Sequence, residues 1–576
     1  MLKVRQLGLV LAAAGFLSAC KSDSATAPSP LPVLGLSATP TGSSTMTVSF
    51  AGRAGESYDI ERAEGAAGTF ASVGTIPLLS ADGTQSYKDV GLKVQTLYRY
   101  RVTTVKNSVR SAPSGEASGT TLAFGSASAV INTDITTNRT LFADTAYTLS
   151  GFVHVANGAT LTIQPGTTIK GDFTVLGSSL MIMRGAKIQA VGTADAPIVF
   201  TSSRPAGQRQ PGDWGGLLLV GNAPDNRSGQ VAVEGTGTDG NAVVGGKNYT
   251  VIYNGGTVAT DNSGTLAYVR VEFSGYAPLQ DQEFNSFTFC AIGSGTRASY
   301  LESLAGLDDS FEFFGGGFDL DHLVAFETAD DVLDMSEGFS GRVQFVIAMA
   351  TTQLTPRTGA GFYSVDLEGI ENDGCNGTGC DNGFDSQPFT IPLIANVTIV
   401  GCGQASCVGA GGGHGMMLRR GTGGYYVNNV FARWPTDGIS LRDVATYNRG
   451  GATATPSTSA DLQVRNNVFL DIPKVFQDPS ATQNVLDLTA NALTLSSATA
   501  ASVFTAIPAV GSAPTGLSAF DFTPVAGSVI ASGGLSSFSG AIATKAGTFV
   551  TPTSYVGAVA PGGAKWWQGW TAYARN

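Results

Sequence analysis

A repeat of about 22 residues constrains the fold of this chain more than any other feature of its sequence. Residues 308–313 align with residues 330–335, and residues 418–420 are echoed by residues 441–443. Residues 322–325 also align with residues 343–346, at a shift of 21. A unit this short cannot bury its own apolar side chains, whereas stacked units can share one core. The repeat therefore predicts a solenoid.

The composition indicates that each unit of the solenoid is made of short strands. Only 13% of the residues are charged, and the chain contains 75 glycines and 24 prolines, which favour tight turns over helices. Residues 158–170 have the pattern of a strand, a sharp corner and a second strand. We therefore expect an all-β rung of three short strands and three turns.

Two asparagine pairs recur within nearly identical segments. Residues 427–431 match residues 465–469, and residues 396–399 are a third relative. We expect Asn428 with Asn466, or Asn429 with Asn467, to form amide ladders, because buried amides that bond along the axis satisfy one another. Their spacing leaves open whether further rungs lie between the copies.

A different pattern precedes the repeats. Residues 33–123 alternate between apolar and polar positions, with strands expected at 46–50, 57–62, 70–76, 86–90 and 98–105. Leu92 and the run 96–102 resemble strand F of a fibronectin type III domain, with its tyrosine corner at Tyr98. Val94-Gln95 replaces the usual Pro-Gly, and the segment has no tryptophan. The resemblance implies a β-sandwich that acts as a spacer or docking module.

The region from residue 128 to residue 576 resembles a group of bacterial secreted proteins and lipoproteins. The resemblance rests on residues 158–171, 213–217, 310–317 and 555–558, and on the tryptophan-rich end. It implies a right-handed parallel β-helix of the pectate-lyase-like architecture. Trp566, Trp567 and Trp570 are expected to cap the open core, with a sugar-stacking platform as the alternative.

The N-terminus has the features of a secretory signal. Lys3 and Arg5 precede an apolar run over residues 7–16, and residues 17–20 read Leu-Ser-Ala-Cys. This motif resembles the bacterial lipobox, which implies a signal peptide over residues 1–19, lipidation of Cys20 and a tether over residues 20–32. The expected location is the cell envelope, as an outer-membrane lipoprotein that is periplasmic or surface exposed. The membrane is then one partner, through the lipid anchor.

Overall charge limits the other partners. A net charge of −11 argues against nucleic acid and against anionic polymers held by bulk charge, so an acidic, pectin-like substrate would need a local basic groove. A polysaccharide or a surface protein is the other expected partner.

The repeat register predicts a ladder of carboxylates. Asp308 should stack on Asp330 and Asp309 on Asp331, at about the 4.8 Å spacing of neighbouring strands. Such oxygen-rich clusters suit Ca²⁺. The alternatives are aspartates that cap turn amides and a catalytic carboxylate pair.

Resemblance to β-helix polysaccharide lyases implies acidic calcium ligands beside a basic residue. Arg419, Arg420 and Arg442 lie on neighbouring rungs, although pairing with nearby carboxylates is the favoured role. Residues 413–415 read Gly-His-Gly, as in β-helix polygalacturonases. They follow Asp330 and Asp331 by more than 80 residues, which is nearly four rungs of a regular solenoid, so a shared site is not expected.

Six cysteines are present. Besides Cys20 and Cys290, which is expected to be a buried thiol, the chain has two close pairs, Cys375/Cys380 and Cys402/Cys407. In an oxidising compartment they predict two disulfides, with three connectivities open. A four-cysteine zinc site is the alternative.

These observations favour a binding function over a reaction. We expect a cell-envelope lipoprotein that presents a rigid β-helix as a binding or adhesion scaffold for glycans or surface partners. The alternative is a calcium-dependent polysaccharide lyase or hydrolase of the β-helix type, and a purely structural role is a third option. Catalytic residues are not identified by the sequence.

Overall fold

A computed structural model describes residues 29–237, 243–244, 247–248, 250–279, 282–361, 363–364, 366–450, 460–477 and 491–576. The chain divides into two compact units, Met1–Leu122 and Ala123–Asn576. Cys20, the signal segment and most of the tether lie outside the described residues. Among the described residues, no helix combines the length and the apolar character that crossing a bilayer requires.

The first unit is built of two antiparallel sheets. One contains Leu34–Pro40, Thr45–Gly52 and Gly83–Val90, and the other contains Ser57–Glu64, Ala71–Ile76, Leu97–Lys106, Val109–Arg110 and Ala117–Thr120. Alternate residues such as Val48, Ile60 and Tyr100 fill the core between them. The hydroxyl of Tyr98 accepts a 2.9 Å hydrogen bond from the Lys93 amide, which is the contact expected of a tyrosine corner.

The second unit is a right-handed parallel β-helix. Its larger sheet contains the strands Ala127–Ile131, Arg139–Leu141, Thr145–Leu149, Thr160–Ile163, Thr168–Gly171, Lys187–Val191, Ile198–Ser202, Gly264–Glu272, Arg297–Leu304, Asp319–Phe326, Arg342–Met349, Leu393–Val400, Gly424–Val427, Val430–Ala432, Leu462–Arg465, Val468–Leu470 and Thr494–Ser496. Its smaller sheet contains Phe152–Val155, Ser179–Ile182, Leu217–Val220, Phe287–Ile292, Phe311–Gly316, Leu333–Ser336, Ile370–Asp373, His414–Arg419 and Asp437–Leu441.

The remaining elements are short. They are the strands Val243–Val244, Lys247–Asn248, Phe504–Ala506 and Asp521–Pro524, the α-helices Val444–Arg449, Ala500–Val503 and Gly540–Ala546, and the 3₁₀ turns Gly383–Asp385, Ala405–Cys407 and Leu517–Ala519.

The predicted 22-residue rung is correct where no loop interrupts it. Phe311 pairs with Leu333, and both side chains point into an interior that is lined by stacked phenylalanines. Phe287 stacks on Phe311 at 5.1 Å and Phe289 on Phe313 at 5.3 Å between ring centroids. One predicted alignment was wrong by two residues: His322 lies between Asp321 and Leu323, which pair with Gln344 and Val346, at a shift of 23.

Long strands of the larger sheet bend at one left-handed residue per rung, and this bend separates two faces of the solenoid. The residues at the bend all have φ between 51° and 65°: Tyr268, Tyr300, His322, Phe345, Asn396, Asn428 and Asn466. Asparagine tolerates this conformation better than most residues, which accounts for the repeated asparagine. At the other positions the rings of Tyr268, Tyr300 and His322 stack on one another at 4.4 and 4.5 Å.

The asparagine ladder is present, and its copies lie on adjacent rungs. Val427 pairs with Arg465 and Val430 with Val468, so one rung of 38 residues separates them. The Asn429 amide donates to Asn467 Oδ1 at 2.8 Å, and the Val397 amide donates to Asn429 Oδ1 at 3.0 Å.

The prediction that the C-terminal tryptophans cap the open end of the core was wrong. The C-terminal segment runs along the outside of the solenoid, where Trp567 and Trp570 pack over outward-facing side chains such as Val324, Ile347 and Phe326. The Ala572 amide reaches the buried carboxylate of Glu302 at 2.9 Å. These outward apolar residues need a cover, because the bend leaves them on an external face, and the C-terminal segment provides it.

Candidate functional site

Polar residues occupy the same register position on six successive rungs of the smaller sheet, either just before a strand or at its first residue. The strand register places each one two residues before a paired core position. In order along the axis they are Asn285, Asp309, Asp331, Glu368, His414 and Asp437. The first three are joined by hydrogen bonds: the Asp309 amide donates to Asn285 Oδ1 at 3.0 Å, and the Asp331 amide donates to Asp309 Oδ1 at 2.9 Å.

A second row of carboxylates lies beside this ladder on the strands themselves. Glu312 pairs in register with Asp334, and Asp334 pairs with Glu371. Because strand side chains alternate, these residues point out of the solenoid while Phe311 and Phe313 point into the core.

The predicted aspartates come together with Asp334 of the same rungs, and with Glu368 and Glu371, which sequence reasoning missed. Three groups each have carboxylate oxygens within 4.8 Å of one another: Asp308 with Asp309 and Asp330, Asp309 with Asp331 and Asp334, and Asp331 with Glu368 and Glu371. Asp309 and Asp331 belong to two groups each. The carboxylates therefore form one continuous cluster, which we call the acidic cluster.

The acidic cluster lines a cavity of about 550 Å³. Thirteen carboxylates and four arginines contribute to its walls, so negative charge is not balanced within it. Most of these carboxylates are almost inaccessible to solvent, Glu368 at 1% and Asp309 and Asp331 at 5% each.

Several oxygens of the cluster lack the partners that burial normally requires. Both carboxylate oxygens of Glu368 and one oxygen each of Asp331 and Asp334 are buried without a hydrogen bond to any residue that the structure describes. Each buried, unsatisfied polar group costs about 1–3 kcal/mol, and charged groups cost more. Buried carboxylate oxygens without hydrogen-bond donors are suited to binding a cation.

Burial and mutual repulsion raise the pKa of the cluster. Desolvation raises the pKa of Asp330 to about 7 and that of Glu371 to about 8. The pKa of Asp309 is also well above its ordinary range, through desolvation and then through the charges of Asp334 and Asp330. Near neutral pH the cluster must therefore hold protons or bind cations.

Two of the three predicted arginines are engaged by carboxylates. Arg419 contacts Asp373 at 2.8 Å and also pairs with Glu371, and Arg420 pairs with Asp373. Arg442 differs: it donates to Ser440 Oγ at 2.8 Å and to His414 Nε2 at 3.2 Å. The predicted structural pairing is thus present at Arg419 and Arg420.

The distance expected between the Gly-His-Gly segment and the aspartates was wrong. Asp331, Glu368 and His414 lie on consecutive rungs, because loops lengthen the two intervening rungs. His414 Nδ1 lies 2.8 Å from Asp437 Oδ1, and both side chains are buried. Since Arg442 can only donate to Nε2, the His414 proton is on Nδ1.

One wall of the cavity is held by a disulfide loop. Cys375 is bonded to Cys380 and Cys402 to Cys407, so each close pair is bonded within itself. Arg227 reaches across to Glu337, at 2.5 Å, and to the Thr378 carbonyl. Cys290 is a buried free thiol.

A repeated signal in the sequence points to the missed carboxylates. The spacing acid–x–apolar–acid occurs at residues 309–312, 331–334 and 368–371. The third copy was not recognised because it lies 37 residues after the second rather than 22.

Comparison with known proteins places the fold. A family model described as pectate-lyase like beta helix domain matches residues 133–512. Comparison with curated protein sequences gives no significant match.

Solved structures similar to the chain include two polysaccharide-degrading enzymes and a small module. Pectate lyase Pel3 from Pectobacterium carotovorum is 11% identical, over 58% of this chain and 88% of that one, with a TM-score of 0.13. A family 28 exopolygalacturonase from Yersinia enterocolitica is 11% identical, over 78% and 96%, with a TM-score of 0.13. An Fn3-like protein from Clostridium thermocellum is 28% identical, over 16% and 92%, with a TM-score of 0.14. At these scores none of the three carries an argument about activity, whereas the family model covers most of the chain. The chain belongs to the pectate-lyase like beta helix domain family.

Proposed function

We propose that this protein is a cell-envelope lipoprotein whose β-helix binds divalent cations of the Ca²⁺ type in the acidic cluster and, through them, an acidic glycan. The observation that carries the proposal is Glu368, which is 1% exposed and whose carboxylate oxygens accept no hydrogen bond from the described part of the chain. One carboxylate oxygen of Glu368 lies within 4.8 Å of carboxylate oxygens of Asp331 and Glu371. A cation supplies the partner that these oxygens lack.

The type of ligand atom favours calcium over the transition metals. The three groups of the cluster offer only carboxylate oxygens, which hard cations prefer, and Ca²⁺ takes six to eight of them. Asp309 and Asp331 would each contribute to two groups. A cation held here would leave outward coordination positions for the carboxylates or hydroxyls of a glycan.

The envelope location rests on different evidence. Two disulfides suit an oxidising compartment outside the cytoplasm. Acylation of Cys20 would hold the β-helix at a membrane through the tether. Fractionation of cells, with a Cys20→Ser variant as the comparison, tests this part: the wild-type protein is expected with the membranes and the variant in the soluble extract.

Calcium titration tests the binding part. We expect calcium to raise the thermal midpoint of chelator-treated protein from residue 21 onward, and an Asp331→Asn/Glu368→Gln variant to lose that response. Glu116→Gln, at an exposed ion pair of the first unit, is the matched control and should respond like the wild type. A wild-type midpoint that does not move at millimolar calcium would contradict the proposal.

Catalysis is a second candidate function, and the pKa values favour it. Asp330 and Glu371, whose pKa values are raised to about 7 and 8, hold protons near neutrality within a cluster of other carboxyl groups. Such a pairing suits general acid–base cleavage of a polysaccharide. Release of reducing ends from polygalacturonate, with and without calcium, separates hydrolysis from eliminative cleavage, because only the latter also forms a product that absorbs in the ultraviolet. If neither reducing ends nor an ultraviolet-absorbing product appears, catalysis is contradicted and only the binding function remains.

A further inference from the structure

A second groove lies on a different face of the solenoid. It has a volume of about 850 Å³ and follows the beginning of the larger sheet's long strands. Asp319, Arg342, Leu393 and Tyr425 occupy one register position on four successive rungs, and all but Leu393 line the groove. At about 4.8 Å per rung the groove extends roughly 14 Å along the axis between the first and last of them.

Polar and aromatic side chains line this groove together. Gln387, Ser294 and Thr544 are exposed there, and Phe389 is half-buried with the Arg449 guanidinium 3.4 Å from its ring centroid. Amides, hydroxyls and aromatic rings in one concave surface are the groups that bind sugars, because a sugar offers both hydroxyls and apolar ring faces.

The charge of the groove is opposite to that of the acidic cluster. Arg342 is balanced by Asp319, which it holds with two hydrogen bonds of 2.6 and 2.7 Å. Lys545, on the helix Gly540–Ala546, donates to the Ser340 carbonyl and has no ion-pair partner among the described residues. Burial and the neighbouring Arg342 lower the pKa of Lys545 to about 8. A bound anionic group would stabilise the charged ammonium and so compensate for the water that burial has removed from it.

The groove is not suited to an extended peptide. Peptides that add to sheets use the free edge of a strand. Here the groove crosses the face of strands that are paired on both sides, Asp319–Phe326, Arg342–Met349 and Leu393–Val400.

We propose that this groove is a second glycan-binding site, which takes a carboxylate-bearing oligosaccharide along the solenoid axis and holds one carboxylate at Lys545. The site needs no cation and does not depend on the function proposed for the acidic cluster. Its wall residues Gln387 and Phe389 belong to the loop between the strands Ile370–Asp373 and Leu393–Val400, which also carries Gly374 and Asn376 of the acidic cavity.

Binding of a short oligogalacturonate in the presence of a chelator tests the proposal, since the acidic cluster is then without calcium. We expect wild-type protein to bind it in calorimetry and Lys545→Gln to weaken binding at least about tenfold, the loss of one charge-assisted hydrogen bond. Lys545→Arg should retain most of the affinity. Lys565→Gln, which removes an exposed lysine paired with Asp521, is the control and should bind like the wild type.

Three results would overturn the proposal: no binding to wild-type protein in chelator, equal affinity for Lys545→Gln, or equal affinity for a neutral cello-oligosaccharide of the same length. Failure of the calcium titration would leave this result untouched, because the groove is measured without calcium. Thermal midpoints of the variants show whether each one is folded.

Discussion

Raising the pH in the presence of a chelator is expected to destabilise the solenoid, and calcium is expected to cancel the effect. Burial raises the pKa of Asp330 from 3.8 to about 7 and that of Glu371 from 4.5 to about 8. Between these values the folded protein keeps protons that the unfolded chain releases. The free energy of unfolding must then fall as the pH rises.

The size of the effect follows from the two carboxyl groups. Their contribution is fully present below their ordinary pKa values of 3.8 and 4.5, falls steadily as the pH rises above these, and is gone above the folded values near 7 and 8. Each retained proton is worth about 1.4 kcal/mol per pH unit. Two such groups predict a loss of roughly 5 kcal/mol between about pH 5 and pH 7.

Thermal unfolding in EDTA, compared with unfolding in millimolar calcium, measures the effect across this range. The midpoint should fall with pH in EDTA and stay nearly level in calcium, because a bound cation replaces the protons. An Asp330→Asn/Glu371→Gln variant should have a flatter profile in EDTA, and Glu61→Gln, at an ion pair of the first unit, should follow the wild type. A midpoint in EDTA that is level or rises with pH would refute the reasoning, as would the same fall in calcium.

Two further predictions concern the solenoid itself. Asn429→Ala should destabilise it by about 2–4 kcal/mol, because the Val397 amide loses its 3.0 Å acceptor and the Ile394 carbonyl loses a donor; a denaturant midpoint equal to that of the wild type would show that the ladder does not contribute. Trp570→Ala should cost about 3–5 kcal/mol, because the ring is 1% exposed and packs edge-on against Tyr268. Limited proteolysis should then release the C-terminal segment, and unchanged resistance would count against its role as a cover.

Much of the fold could be predicted because each repeat has a recognisable local pattern of apolar residues and turns. Apolar residues at alternate positions, with turns between short strands, specify rungs, and the shift between residues 308–313 and 330–335 specifies their stacking. The same register predicted that Asp308, Asp309, Asp330 and Asp331 would meet. The two close cysteine pairs predicted the disulfides, although not their connectivity.

The errors share one physical origin, which is that solenoid rungs tolerate long loops. Glu368 and Glu371 belong to the same cluster as the aspartates, yet the rung that carries them is 37 residues long. His414 lies two rungs from Asp331 for the same reason, although more than 80 residues separate them in the chain. Loop length changes sequence distance without changing axial distance, since only the strand pairing sets the axial spacing.

The sequence by itself determined the all-β solenoid and the stacked carboxylates, because strand alternation and rung register are local and repetitive. Only the tertiary structure decided that the carboxylates line one cavity, that Lys545 lies in a separate groove and that Trp570 covers a side of the solenoid rather than its end. These features depend on where loops and the C-terminal segment return to the surface of the solenoid. Such contacts join residues that are far apart in the chain, and no periodicity in the sequence encodes them.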